Sequence, residues 1–220
     1  EAADKVITVS DLTRNIVITK YGIDPSKVVT VHNAVDFSGR SNVNVERGVK
    51  DKVVTFLGRI TFQKGPEYFI EAAAKVLKRC DNVRFVMAGS GDMMNRSIRQ
   101  VARLGISDRF HFTGFLRGKE VQEMFALSDV YVMPSVSEPF GISPLEAMRT
   151  GVPSVISKQS GAAEVLKYAF KVDFWDVDAM ADEIYALANF ASKYGFDEVN
   201  TLKWNNAALK IKNVYESVIK

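Results

Sequence analysis

From about residue 51 the chain alternates short apolar runs with longer stretches of helical period. VVTFLG (53–58), VRFVMAG (83–89), RFHFTG (109–114), VYVMPS (130–135) and PSVIS (153–157) read as strands, with FKVD (170–173) as a sixth. Between them, 66–79 places Phe69, Ile70, Ala73, Val76 and Leu77 on one helical face, behind Pro66 in the first turn. A second helix spans about 92–104, with Met94, Ile98, Val101 and Ala102 inward and Gly105 at its end. Shorter helices follow at 119–127 and from Pro144 to just before Gly151. The strands are near-continuous apolar runs, which suits a sheet covered by helices on both faces. The pattern predicts an α/β domain with a doubly wound parallel sheet. In such a domain ligands sit beyond the carboxyl ends of the strands, so the informative residues fall in the loops that follow them.

The ends of the chain differ from this middle. KVITVS, the helical TRNIVITKYG and KVVTVHNAVD make one further β-α-β unit, too small for a core of its own, ahead of a polar linker at 38–51. Residues 1–35 therefore either extend the main sheet or end a different domain. The last stretch, TLKWNNAALKIKNVYESVIK, is an amphipathic helix with Leu202, Leu209, Val214 and Ile219 among its apolar residues. The chain opens on Glu1 without the charged start and apolar core of a signal peptide, and it reads as an internal fragment.

Composition removes some functions. The 220 residues are 47% hydrophobic, enough for an ordinary globular core, so disordered and fibrous classes are excluded. Twenty-nine Lys+Arg against 26 Asp+Glu give +3, too balanced for a dedicated polyanion binder, and no nucleic-acid partner is expected. One cysteine, Cys80, and two distant histidines, His32 and His111, build neither a disulfide nor a zinc cage, and they fit a reducing, cytoplasmic setting. Both histidines read as strand residues, and no apolar run reaches membrane-spanning length.

Candidate chemistry sits in the loops. GRITFQKG (58–65) places Arg59 and Lys64 between two glycines ahead of a helix N-terminus, which reads as an anion site or as a solvated loop. GSGDMM begins a dinucleotide-binding pattern, but Met94 stands where the third glycine belongs, so a tight turn with open backbone near the cleft is expected. In SEPFGISPLEAM, Glu138 falls at the strand end and Glu146 in the next helix's first turn; Phe140, Gly141 and Ile142 present amides to the cleft. Two carboxylates here suit vicinal hydroxyls of a sugar or ribose, while Glu146 also fits simple helix-dipole complementation. Asp176 and Asp178 form a D-x-D that reads as a helix N-cap before it reads as a metal site.

GRITFQKG, AGSGD, FTGF (112–115) and MPSVSEPFGISPLEAMRTGVPSVIS, in this order, resemble the C-terminal, Rossmann-like domain of retaining GT-B glycosyltransferases, the family of bacterial glycogen synthases, sucrose synthases and phosphatidylinositol mannosyltransferases. The resemblance covers about residues 5–190. It implies transfer of a hexosyl group from a nucleoside-diphosphate sugar, without a metal cofactor. It implies that Arg59 and Lys64 meet the donor diphosphate and its developing charge. Glu138 would bind sugar hydroxyls and Glu146 the ribose; Gly58 and the amides of Phe140, Gly141 and Ile142 would line the sugar and phosphates, and Phe115 and Leu116 would meet the base. It further implies that 1–35 is the tail of an acceptor-binding domain, 36–190 the donor-binding domain and 191–220 a helix crossing back. Acceptor specificity, and any membrane contact, would then belong to the missing domain, and the fragment alone would transfer no sugar. The family's N-terminal glycine-rich loop and histidine are not found, and His32 is wrongly placed for the latter. A binding module without transferase activity and a nucleotide-sugar epimerase remain alternatives, with a dinucleotide oxidoreductase behind them.

Overall fold

The computed structural model describes residues 3–35, 45–190 and 204–219. Its first unit is β1 (Val6–Thr8), α1 (Asp11–Tyr21) and β2 (Val28–Thr30). Then come β3 (Lys52–Leu57), α2 (Pro66–Leu77), β4 (Val83–Ala88), α3 (Met94–Arg103), β5 (Phe110–Gly114), α4 (Lys119–Leu127) and β6 (Val130–Met133). The chain continues through α5 (Ser143–Arg149), β7 (Ser154–Ser157), α6 (Ala162–Val165), β8 (Phe170–Val172), α7 (Val177–Phe190) and α8 (Trp204–Val218).

Strands β3 to β8 form one parallel sheet in the order β5-β4-β3-β6-β7-β8. All six lie within one or two residues of the apolar runs that predict them. The chain winds outward from β3 to β5, then returns to β6 beside β3 and winds the other way. The reversal opens a crevice above the carboxyl ends of β3 and β6, the place where a doubly wound sheet takes its ligand.

Both faces of the sheet are covered, as the continuous apolar runs require. In β6 all four residues are buried: Val130 and Val132 join Val54, Phe56, Phe85 and the inward faces of α2 and α7, while Tyr131 and Met133 face α4, α5 and α6 with Ile156 and Leu145. Phe69 anchors the first layer by edge contacts to Phe85 and Phe110 at 5.7 and 5.8 Å. Such aromatic pairs contribute about 0.5–1.5 kcal/mol each beyond the area they bury.

The first unit does not extend the main sheet. β1 and β2 pair in parallel as a separate two-stranded sheet, with Val6 opposite Val28. Against it packs α8, whose Ala207 and Ile211 meet Val29, Val31 and Ala34. This differs from the expected apolar stripe. Leu209 and Ile219 are exposed, because the helix turns its small Ala207 toward the sheet, and Leu202 lies outside the described residues. Part of the expected linker, 38–44, lies outside them too. No helix among the described residues is long and apolar enough to cross a membrane.

Candidate functional site

Two loops meet above the switch point. The first, after β3, runs from Gly58 through a 3-10 turn, Phe62–Lys64, to Gly65 and Pro66, the first residue of α2. The second runs from Pro134 to Ile142, the residue before α5. Gly65 adopts φ +63°, and a Cβ there would lie 2.3 Å from the Pro134 carbonyl oxygen. Glycine is thus required twice over, for the left-handed backbone and for the close approach. Beside this contact, Val136 N–H donates to the Gln63 carbonyl at 2.9 Å, and Gln63 Nε2 donates to the Ser137 carbonyl at 2.9 Å.

This junction brings together residues distant in sequence. Lys64, whose stem lies over Gly58, donates from Nζ to Glu138 Oε2. Arg59 is exposed and reaches back to Gln63, its Nη2 donating to Oε1 at 3.1 Å. Gln63 therefore holds Arg59 with one end of its amide and the Glu138 loop with the other. Sequence reasoning passed over Gln63, since an amide inside GRITFQKG carries no charge pattern to mark it.

Glu138 is buried, and its backbone is fixed on both sides. Its N–H donates to the Gln159 carbonyl at 3.0 Å, and its carbonyl accepts from Gly161 N–H at 3.1 Å. Gly141 at φ +94° lets the chain turn beside the Glu138 side chain; a Cβ there would sit 3.2 Å from Glu138 Cγ. Phe140 is buried in the second core layer, while Ile142 is exposed at the start of α5. Among the described residues, none of the amides of Phe140, Gly141 and Ile142 donates to a main-chain carbonyl.

Glu146 lies half-buried in the first turn of α5, where burial pushes its carboxyl above the ordinary glutamate range and Arg149 partly offsets the rise. Below it Tyr131 is wholly buried; desolvation raises its phenol far above the ordinary value, and its hydroxyl donates to the Leu57 carbonyl at 3.4 Å.

Phe115 and Leu116 follow β5, two strands from the β3/β6 crevice. Phe115 is exposed, with the Arg117 guanidinium 5.2 Å from its ring centre, and Leu116 packs on the second core layer. Gly89 N–H donates to the Gly114 carbonyl at 2.8 Å, and Ile60 N–H donates to the Ser90 carbonyl at 2.9 Å. The loops after β5, β4, β3 and β6 are thus joined in the order of the strands beneath them.

Two expectations change. Gly89 does not leave open backbone: it is buried, its N–H is taken by the Gly114 carbonyl, and a Cβ would lie 1.8 Å from Gly58 O. Gly91 stays exposed, although a Cβ there would lie 2.2 Å from Ile60 O, so both glycines also serve loop packing. His32 is not a strand residue. It follows β2, its Nε2 lies 2.9 Å from Glu164 Oε2, and its ring centre is 6.0 Å from that of Phe140. The N-cap expected of Asp176 or Asp178 is Asp176, which accepts from Ala179 N–H at 3.0 Å at the start of α7, while Asp178 in the first turn pairs with Lys75 of α2. Asp11, His32 and Glu164 place one ligand atom each within 4.8 Å of one another, a spacing a metal ion would accept. Their oxygens, however, already accept from Thr30, from His32 and from two α1 amides.

Comparison with known proteins places this geometry. The family described as "Glycosyl transferases group 1" matches residues 40–190. An uncharacterized glycosyltransferase of Methanocaldococcus jannaschii is 35% identical, over 96% of this chain and 60% of its own length. A D-inositol 3-phosphate glycosyltransferase of Catenulispora acidiphila is 31% identical, over 74% of this chain and 42% of its own. The chain thus spans about 60% or less of these relatives' lengths. Among solved structures, S. aureus TarM in complex with fondaparinux, alpha-GlcNAc-glycerol and UDP superposes with TM-score 0.83 at 19% identity, over 96% of this chain and 44% of that one. Anabaena Alr3699/HepE with UDP and glucose gives 0.82 at 22%, over 98% and 64%. At these identities the structures establish the fold, that of the GT-B glycosyltransferases. Matched over most of its length, and carrying the EPFGISPLEAM loop at the switch point of its sheet, the chain belongs to the group 1 glycosyltransferases.

Proposed function

We propose that these 220 residues are the donor-binding part of a retaining glycosyltransferase that moves a hexosyl group from a nucleoside-diphosphate sugar to a saccharide or other hydroxyl acceptor. The observation that carries this reading is the contact of Lys64 with Glu138 across the β3/β6 crevice, with Arg59 tied to the same junction through Gln63. A cation and a carboxylate side by side match a ligand with adjoining anionic and hydroxyl-rich parts, which is the chemistry of a sugar diphosphate.

In this reading the bond between the anomeric carbon and the diphosphate oxygen breaks, its electron pair leaves with the phosphate, and the sugar gains oxocarbenium character. Arg59 and Lys64 meet the charge growing on the diphosphate. An ammonium carries three N–H donors, so Lys64 can hold Glu138 and a phosphate oxygen together. Glu138 accepts from sugar hydroxyls, and the amides of Phe140, Gly141 and Ile142 donate to the sugar and phosphates, with Gly58 beneath them. Glu146 accepts from the ribose, and Phe115 and Leu116 cover the base. The acceptor hydroxyl attacks from the face the diphosphate leaves and passes its proton to the departing phosphate oxygen, which retains configuration. A glycosidase-type double displacement uses two carboxyls about 5–5.5 Å apart. Glu138 is instead engaged by Lys64, which favours the single-face route.

No metal cofactor is needed in this scheme, because Arg59 and Lys64 supply the positive charge. Residues 1–35 are then the tail of an acceptor-binding domain, 36–190 the donor domain and 191–220 its crossing helix. The packing of α8 on β2 supports that division. Acceptor recognition and any membrane contact belong to the remainder of a longer, cytoplasmic enzyme, and the 220 residues bind donor without transferring sugar.

Calorimetry with UDP-, ADP- and GDP-sugars tests the reading. One of them binds the wild type, Glu146→Ala weakens it, and Arg59→Ala or Lys64→Ala weakens the nucleoside diphosphate more than the free nucleoside. Equal losses for diphosphate and nucleoside would remove the diphosphate assignment. Tight NAD binding with no nucleoside-diphosphate binding would overturn the proposal, and turnover by the isolated chain would overturn the division of labour.

A further inference from the structure

We propose that Glu164, on the single turn of α6, is a positioning residue for the donor loop, acting through the N-terminus of α1. An α-helix begins with four N–H groups that lack intrahelical partners. In α1 those of Asp11, Leu12 and Thr13 are satisfied, in two different ways. Thr13 N–H donates to Ser10 Oγ at 3.0 Å, a local contact, and Arg14 N–H makes the first intrahelical bond, to the Ser10 carbonyl, at 2.9 Å. The other two reach across the molecule: Asp11 N–H donates to Glu164 Oε2 at 2.9 Å and Leu12 N–H to Glu164 Oε1 at 2.7 Å. One carboxylate thus closes the positive end of a helix more than 150 residues earlier in the chain, where the helix dipole favours a negative charge. His32 adds a third contact. A carboxylate only accepts, so the imidazole donates from Nε2 to Glu164 Oε2 at 2.9 Å.

The other side of the same turn braces the site. Ala162 N–H donates to the Phe140 carbonyl at 2.6 Å, and Gly161 N–H donates to the Glu138 carbonyl at 3.1 Å. Gly161 is pressed between the two partners: a Cβ there would lie 2.5 Å from both Ser10 Cβ and the Pro139 carbonyl oxygen. Thr13 Oγ1 also donates to the Pro139 carbonyl at 3.4 Å. Residues 160–164 are therefore a spacer clamped between α1 and residues 138–140. Glu164 holds the spacer on the α1 side without touching the crevice itself, and the orientation of Glu138 depends on that hold.

Amide hydrogen exchange on the 220-residue chain tests this without any ligand. In Glu164→Ala the amides of Glu138, Gly161 and Ala162 exchange about tenfold faster, because a local opening gains population when its clamp is lost. The amides of Val54 and Phe85 in the central strands keep their wild-type rates. Glu164→Gln, which retains one accepting oxygen, falls between, and it stands in if the alanine variant does not fold. His32→Gln, which retains an N–H donor, preserves more protection than His32→Ala. Unchanged exchange at Glu138, Gly161 and Ala162, or an equal increase throughout the sheet, would overturn the proposal.

A second arm rests on the donor-binding reading. UDP, GDP and ADP are titrated in turn, and the Kd of whichever binds rises severalfold in Glu164→Ala. If the wild type binds none of them, the donor reading fails and the exchange result alone decides the role of Glu164. If binding is intact and exchange accelerates without loss of affinity, Glu164 does not position the donor loop for its ligand, and that part of the proposal fails.

Discussion

Replacing Gly65 by alanine tests the close approach on which the whole crevice depends, and Gly105 provides an internal control. The two glycines share nearly the same backbone, φ +63° and φ +69°. Alanine in that region costs about 1–2 kcal/mol at either position. They differ in surroundings. At Gly105 a Cβ meets nothing within 4 Å, whereas at Gly65 it lies 2.3 Å from the Pro134 carbonyl oxygen and 3.0 Å from the Tyr68 ring. An ordinary carbon to oxygen contact is about 3.3 Å or more, so the two loops must separate by roughly 1 Å. Overpacking of that kind adds about 1–3 kcal/mol. Gly65→Ala should therefore lose about 2–5 kcal/mol in total and Gly105→Ala about 1–2 kcal/mol. In urea, with a slope of about 2 kcal/mol per molar, the midpoints fall by about 1–2.5 M and about 0.5–1 M. Nucleoside-diphosphate affinity should fall only in Gly65→Ala, because only that substitution parts Lys64 from Glu138. Equal midpoint shifts would show that the loops do not meet as described. A larger shift for Gly65→Ala with unaltered nucleotide affinity would separate the junction from binding.

Two titrating groups give further tests. Burial raises the Glu146 carboxyl, so above its ordinary value the native protein holds a proton that the unfolded chain has lost, and stability falls as pH rises through the raised value. Glu146→Gln removes that dependence: it should be the more stable protein at pH 7 by thermal melting, with the difference closing near pH 4, and a pH-independent difference would refute the assignment. At Asp129 burial acts to raise the carboxyl, but Arg47, the Val53 amide and Lys52 together outweigh it and hold the value below the ordinary one. Its stabilisation is present above the ordinary aspartate pKa and is lost as pH falls through the lowered one. Asp129→Asn should therefore melt lower than wild type at pH 7 and match it near pH 2; an undiminished gap in acid would refute the ion-pair account.

The six-stranded sheet was legible because each strand buries both faces and so appears as an unbroken apolar run; Val130 to Met133 is the plainest case. The crevice was legible in part. Arg59, Lys64 and Glu138 announce themselves as charges in the loops after strands and Glu146 as one in a helix's first turn, and the sheet brings the first three to one junction. What holds them there was not legible. Gln63 and Glu164 act through neutral or capping hydrogen bonds to main chain 74 and more than 150 residues away, and no local pattern encodes a partner at that distance. Gly89 misled for a related reason. A glycine spared a side chain to admit a ligand and one spared it to admit a neighbouring loop look alike in sequence.

The sheet order also sets when the crevice can exist during synthesis. Lys64 and Glu138 are 74 residues apart, and β6 joins the sheet beside β3 only after β4 and β5 have wound away to the other side. A chain growing from its N-terminus therefore completes the basic loop while the acidic one is still unmade, and contacts of such long sequence separation carry the slow steps of folding. During that interval Lys64 has no carboxylate and Gly65 no carbonyl to rest on. Truncation after β5 should leave three paired strands with a bare edge, so nascent chains of that length are the ones most in need of protection from aggregation.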